Sequence, residues 1–385
     1  LARALGITSL MGRPLDVGRF ERTSRHGTRA LIARSRSAEL DAPRCWRRPP
    51  KLQDAPIAED PDLTTSAPSV AANPWRKKLL VAAYVGFPFP GATETRCVVK
   101  RSFDRGRTWS EATLLPVRET AVSCGGPVLA YSADGRRLFA AYQDFRSERS
   151  ESEPLPGGGY RYRSEGDSDV VVSVSRDHGR TWSTPSVALD GDSWGATFTC
   201  DVAGPGCTTS DVDPGSNYSR ASIALGRSGW RKTSLYVTGT RGAQFDPDAP
   251  RFAIAFTRSA GGGWAPPTLV DFTTEPSSLE VVQGGQVAAG PKGHVLVAWY
   301  HPSDDGRFSG RFEIRTRHSG DGGETWGPIV KSAVDEDETS FWLGSSPRLK
   351  WWWTTMFPRL AIDRGGRAHI DDTHDPESGS DTGEE

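Results

Sequence analysis

One short pattern occurs three times in this chain and limits its fold more than any other feature. It reads Ser102-Phe-Asp104-Arg-Gly106-Arg-Thr108-Trp109, then Ser175-Arg-Asp177-His-Gly179-Arg-Thr181-Trp182, then Ser319-Gly-Asp321-Gly-Gly323-Glu-Thr325-Trp326. Each copy follows an alternating run: Cys97-Val-Val-Lys-Arg, Val170-Val-Val-Ser-Val and Phe312-Glu-Ile-Arg-Thr. Such runs predict strands with one buried face. Within a copy, Ser and Asp side chains can take the backbone N–H groups of a tight turn, and Gly accepts positive φ. Thr-Trp then opens the returning strand with the indole laid on the hairpin. Each copy is predicted to be a hairpin tip, and its Asp a tie for the turn rather than a catalytic acid.

A second, looser repeat runs alongside. Ala67-Pro-Ser-Val-Ala-Ala-Asn73, Gly126-Pro-Val-Leu-Ala-Tyr-Ser132, Gly285-Gln-Val-Ala-Ala-Gly290 and Phe357-Pro-Arg-Leu-Ala-Ile-Asp363 each lead through a turn into an apolar run. Those runs are Leu79-Leu-Val-Ala-Ala-Tyr84, Leu138-Phe-Ala-Ala-Tyr142, Val295-Leu-Val-Ala-Trp299 and the shorter Arg367-Ala-His-Ile370. Ala221-Ser-Ile-Ala-Leu225 and Ser234-Leu-Tyr-Val-Thr238 supply a further copy, whose outer hairpin, Ser259-Ala-Gly-Gly-Gly263-Trp264, lacks the Asp and Thr. Repetition on this scale is the mark of a repeat architecture. The units fall near 66–118, 124–189, 219–271 and 284–332, with half of another near 357–374. A four-stranded antiparallel blade suits that length, so the fold class expected is all-β, a propeller of such blades.

Composition agrees: Gly 42, Pro 28 and Trp 13 among 385 residues suit short strands and tight turns. A net charge of −1 supplies no field for nucleic acid. No apolar stretch approaches the roughly 20 residues of a membrane-spanning helix. Residues 1–65 are rich in Arg without periodicity and read as a poorly structured leader; 66–374 reads as the propeller and 375–385 as an acidic tail. No secretory segment is visible in the chain. A half-built last unit reads as part of a longer chain. Of five cysteines, Cys200 and Cys207 could close a small disulfide and Cys97 and Cys124 another, leaving Cys45; that pairing suits an extracellular protein, whereas in the cytosol all five would be thiols.

The three copies resemble the Asp-box, or bacterial neuraminidase repeat, of sialidases. The residues carrying the resemblance are Ser102, Asp104, Gly106, Trp109, Ser175, Asp177, Gly179, Trp182, Ser319, Asp321, Gly323 and Trp326. The resemblance implies a six-bladed sialidase-like propeller in which each box joins the third and fourth strands of a blade. It implies a secreted or periplasmic glycoside hydrolase with glycan or glycoconjugate partners and no cofactor. It also implies three Arg gripping a carboxylate, an acid/base Asp, and a Tyr nucleophile activated by a Glu. The Arg-Ile-Pro signature carrying the first of those Arg is absent; Asn73-Pro-Trp is its nearest counterpart and has no Arg.

Strand parity locates the functional face. In an antiparallel meander, the turns between first and second and between third and fourth strands share one end. The boxes mark that end. The connections 144–168, 190–218, 241–251, 271–284, 301–310 and 332–356 all fall at the other end, and long loops on a rigid scaffold carry function. That rim supplies the candidate catalytic residues Asp144, Arg146, Arg241, Tyr300 and Asp304. His301, Asp305, Asp201, Asp211, Asp213, Tyr218, Glu275 and Glu280 lie on the same rim. The Trp342 and Trp351-Trp352-Trp353 group reads first as packing between blades, with stacking on sugar as the alternative. His369-Ile-Asp371-Asp372-Thr-His374-Asp375 imitates a metal cluster, but strand alternation sends 369 and 371 to one face and 372 and 374 to the other, so no metal is expected. The functions left open are a sialidase-type hydrolase, a non-catalytic glycan- or protein-binding propeller, and an inactive, truncated family member.

Overall fold

The computed structural model describes Ile57 and residues 64–371, except 88–93, 201–206, 229–231, 247, 262, 274–281, 303–309, 338–356 and 364. The regular structure among them is strand, apart from one 3-10 turn at Pro291–Gly293. Strands β1 (Thr64–Ala72), β2 (Leu80–Phe87), β3 (Arg96–Ser102) and β4 (Thr113–Leu114) pair antiparallel in that order. The second blade holds β5 (Ser123–Tyr131), β6 (Leu138–Arg149), the short β7 (Glu153–Pro154), β8 (Tyr160–Ser175) and β9 (Ser186–Leu189), with β5, β6, β8 and β9 as its four neighbours. Next come β10 (Trp194–Cys200) and β11 (Cys207–Asp213). The third blade is β12 (Gly215–Ser228), β13 (Lys232–Gln244), β14 (Phe252–Ser259) and β15 (Thr268–Phe272). The fourth is β16 (Gln283–Ala289), β17 (Val295–Pro302), β18 (Gly310–Ser319) and β19 (Val330–Asp337); β20 (Arg359–Ile362) and β21 (Ala368–Asp371) form a last pair.

The first strands of successive blades lie side by side: β1 against β5, β5 against β12, β12 against β16 and β16 against β20. The blades therefore fan about a common axis, the arrangement of a β-propeller. The core lies between blades, because the inner strands are apolar on both faces near their middle. On β6, Leu138, Ala140 and Tyr142 pack toward blade one with Val81, Val99 and Cys97, while Phe139 and Ala141 pack toward blade three with Ile223, Val237 and Ala255. Tyr236, Ile254, Phe256 and Trp299 fill the next interface. Cys97–Cys124 ties β3 of blade one to β5 of blade two.

The three repeat turns have one geometry. Ser102, Ser175 and Ser319 each donate Oγ–H to the Asp two residues on, at 2.8, 2.8 and 2.7 Å. The same Oγ accepts the N–H of Gly106, Gly179 or Gly323 at 2.7–2.8 Å. Each Asp then takes the backbone N–H and the hydroxyl of Thr108, Thr181 or Thr325. The glycines sit at φ 84°, 89° and 85°, where a side chain would be strained. Thr108 N–H, with help from the Thr108 hydroxyl, holds the Asp104 carboxyl down to about 2. Burial works against the Asp177 carboxylate, yet its Thr181 and Ser175 bonds still bring it to about 2. All three aspartates are committed to backbone, as the sequence predicts. Asn73 is likewise a turn former at this end: its Oδ1 takes the N–H groups of Trp75 and Arg76, and its Nδ2 donates to Gly135 O at 2.8 Å.

The connections 144–168 and 190–218 depart from the expectation of loops. The first half of β8 runs past the blade and pairs with β7 on one side and β10 on the other; β10 then pairs with β11, and Cys200–Cys207 joins those two strands. The result is a β-flap rising from the rim. Its cause is alternation: Tyr160-Arg-Tyr-Arg-Ser and Trp194-Gly-Ala-Thr-Phe-Thr-Cys each place ring or small residues on one face and polar residues on the other. Asn217↔Ser168 pairing links blades two and three beside it. Among the described residues no helix is long and apolar enough to cross a membrane.

Candidate functional site

The rim end of each blade interface is closed by a polar group, where the apolar core gives way to solvent. Between blades one and two, Asp144 on β6 and Asp169 on β8 are direct cross-strand partners, and both are buried. Two carboxylates placed opposite each other repel unless a cation joins them. Arg118, on the crossing from blade one, does so. Its Nε and Nη2 reach Asp144 Oδ1 and Oδ2 at 2.7–3.1 Å, and its Nη1 lies 2.5 Å from Asp169 Oδ2. Burial pushes the Asp169 carboxyl up to about 6, against the pull of the Gly191 N–H and of Arg118. Beneath this cluster the Tyr142 hydroxyl bonds Pro116 O and Ser173 Oγ. Arg146, nearer the rim, faces its cross-strand partner Asp167, with Nε 3.8 Å from Oδ2.

The opposite face of β6 and β8 meets blade three. Gln143 Nε2 donates to Ser168 Oγ at 2.7 Å, and Ser168 Oγ–H donates to Tyr218 O at 2.6 Å. Tyr218 on β12 is the cross-strand partner of Arg241 on β13, and their side chains are hydrogen-bonded. Burial raises the Tyr218 phenol; Arg241 lowers it and Asp192 raises it. Ser216 Oγ–H donates to Asp192 Oδ2 at 2.9 Å, and Asp192 itself is exposed. Tyr218, Arg241, Asp192 and Ser216 therefore form a polar seam at the rim of blades two and three, in which Tyr218 and Ser216 are buried, Arg241 is half-buried and Asp192 is exposed.

Nearer the axis, the first strands β1, β5, β12 and β16 each carry a bulge at one equivalent place, with Ala67, Gly126, Arg220 and Gly284 at φ 49°, 50°, 53° and 70°. Bulges re-aim side chains at the ends of sheets. In blade three the bulged residue is Arg220, not Gly. Its Nε donates to Gln283 Oε1 at 3.1 Å, and its guanidinium lies 4.6 Å from the Phe357 ring centre. Burial draws this guanidinium down to about 10. Tyr300 packs edge-on against the same Phe357 and is buried.

Blade four repeats the pattern of closed rim charges. Glu313, opposite His301 in the register, is buried and held by Arg315 Nε at 2.8 Å and by Lys331 Nζ. Burial raises the Glu313 carboxyl, but Lys331 and Arg315 outweigh it and leave it lowered. Asp271 takes the Trp299 indole N–H at 2.8 Å.

The flap stands beside the blade two/three seam. Register places Tyr160, Tyr162, Ser164 and Gly166 of β8 on one face with Trp194, Ala196, Phe198 and Cys200 of β10. Tyr162 stacks on Tyr160 and on Phe198, with ring centres 5.9 and 5.3 Å apart. Phe245, just beyond β13, leans onto Trp194 and Phe198. Behind this face Arg163 bonds Glu165, Asp213 and the Asp211 carbonyl.

The residues expected to carry chemistry are thus divided among interfaces. Asp144 and Arg146 lie between blades one and two, Arg241 between two and three, and Tyr300 between four and five; Asp304 lies outside the described residues. Asp305, Asp201, Glu275, Glu280, Trp342, Trp351, Trp352 and Trp353 also lie outside them, as do Asp372 and His374. Asp211 and Asp213 sit on β11, exposed. His369 Nε2 is 3.5 Å from Asp363 Oδ2. The sequence reading missed Arg118, Asp169, Arg220 and Glu313. Arg220 carried a signal: it stands where two other blades have Gly.

No family model matches this sequence, and no curated protein matches it. Solved structures similar to it include the alpha-L-arabinanase of Penicillium chrysogenum complexed with arabinobiose, at TM-score 0.44 and 16% identity over 80% of this chain and 75% of that one. The endo-arabinanase of Bacillus licheniformis has TM-score 0.36 and 13% identity over 82% and 95%. The intramolecular trans-sialidase of Ruminococcus gnavus has TM-score 0.40 and 14% identity over 70% of each chain. These are likenesses of fold at low identity, and the fold itself rests on the strand pairing above.

Proposed function

We propose that this chain is a secreted, sialidase-like Asp-box propeller that engages glycans at its long-loop rim, and that binding rather than turnover is its role. The observation that carries the reading is the polar seam at the end of the molecule opposite the repeat turns, where half-buried Arg241 and exposed Asp192 meet solvent over buried Tyr218 and Ser216. A guanidinium beside hydroxyl and carboxylate groups can satisfy both the hydroxyls and the acidic groups of a sugar. Two disulfides support secretion. Binding is favoured over hydrolysis because Asp144, Asp169, Asp271 and Glu313 are each buried and held by Arg118, Trp299, Arg315 or Lys331. Glycosidic cleavage needs a pair of groups that reach the anomeric centre. Hydrolysis is the second reading and would draw on Asp304, Glu275 or Glu280.

The test is a glycan array with the full chain and Arg241→Ala, run beside fluorogenic sialosides and arabinosides. The reading expects array binding lost in Arg241→Ala and no turnover. Turnover that vanishes in Asp304→Asn would establish the hydrolase instead.

A further inference from the structure

The aromatic face of the flap is not explained by the seam. Its rings form a contiguous strip on one side of β8 and β10, joined by Phe245 from blade three. A strip that served only as a small core would be closed from solvent, yet Tyr160 is 42% exposed and Phe245 38%. Tyr162, Phe198 and Trp194 are half-buried.

We propose that this face is a stacking platform for the neutral hexose rings of an oligosaccharide whose end sits in the Arg241 seam. The inference rests on the glycan reading above and adds a subsite to it. Charge distribution argues for the class of ligand. Between the rings the register places half-buried Ser164 and exposed Thr209, uncharged groups that offer hydroxyls, with Ala196 and Gly166 buried beneath them. The ionised groups Arg161, Arg163, Glu165 and Asp213 fall on the reverse face, where Arg163 binds Glu165 and Asp213. The apolar side of a pyranose matches an aromatic ring, and its hydroxyls match Ser and Thr.

Continuity argues for the register. Trp194 follows Asp192 by two residues, and Phe245 follows Arg241 by four, so the chain passes directly from the seam into the platform at both places. From Tyr160 to Gly166 the strand spans about 20 Å, longer than one sugar ring. Rigidity argues that the rings are preorganised: Cys200–Cys207 joins β10 to β11, and Arg163 staples the back of the sheet to the Asp211 carbonyl. A fixed platform binds without the cost of ordering it.

The experiment is titration calorimetry of the full chain with cellohexaose, maltohexaose and lacto-N-tetraose, against glucose, galactose and sialyllactose. Tyr160→Ala and Tyr162→Ala are expected to weaken the longest neutral ligand bound by roughly three- to tenfold. They should leave a monosaccharide unaffected, and Tyr160→Phe should retain full affinity. Tyr160 is exposed, so its variants keep the fold, which the thermal transition will check. Oligosaccharide binding that is equal in wild type and Tyr160→Ala overturns the platform and leaves the glycan reading standing. A wild-type chain that binds no member of the panel overturns both.

Discussion

Arg118 shows how one residue decides whether two others are tolerable. Asp144 and Asp169 face each other across β6 and β8 without access to water, and the Arg118 guanidinium is shared between them. Removing it leaves two buried carboxylates opposed. Arg118→Ala is therefore expected to cost about 3–5 kcal/mol in a denaturant titration. The pH dependence has a definite sign. The folded Asp169 titrates near 6, above its unfolded value, so its contribution is fully present below the unfolded value and is lost as pH rises through 6. Wild-type Tm should fall over that window, and Asp169→Asn should flatten the fall. A Tm that instead rises from pH 4 to 6 through Asp169 would contradict the assigned burial. Asp144 was visible in the sequence as a rim residue, but its partners were not. Arg118 is 26 positions away, in a crossing that carries no repeat.

At the scale of elements, the repeat hairpins were legible because local chemistry dictates them. A short polar pattern satisfies its own turn, so neither neighbouring blades nor distant residues are needed to read it. Ser175 is the keystone of its copy, since it donates to Asp177 and accepts the buried Gly179 N–H. Ser175→Ala leaves that N–H without its acceptor and is expected to cost about 1–3 kcal/mol, read as a shift in the chemical denaturation midpoint. An unchanged midpoint would mean that the turn has another acceptor. The flap was not legible for the opposite reason. Its strands come from two connections separated by a whole hairpin, and only their pairing makes them a sheet. The alternation in 160–164 was present, but nothing in the sequence stated its partner. The bulges on the first strands were hidden similarly, because Ala67, Gly126, Arg220 and Gly284 share a backbone conformation rather than a residue type.

For the whole molecule, the repeat fixes an asymmetry between two ends. The three repeat turns lie at one end; the seam, the bulges and the flap lie at the other. Blade one is fastened to blade two by Cys97–Cys124, which spans the interface packed by Val81, Val99 and Leu138. Replacing both cysteines by Ala is expected to cost about 2–4 kcal/mol in a denaturant titration, without altering the rim. A matching loss of ligand binding would show that the interface and the rim are coupled. Glycan engagement at the rim is the claim on which the functional account stands. The most direct test is hydrogen exchange of the full chain with and without a bound oligosaccharide. The account predicts slowed exchange in 160–166, 194–200, 215–220 and 241–245, and none in 102–109, 175–182 and 319–326. Protection confined to the three repeat turns would contradict it.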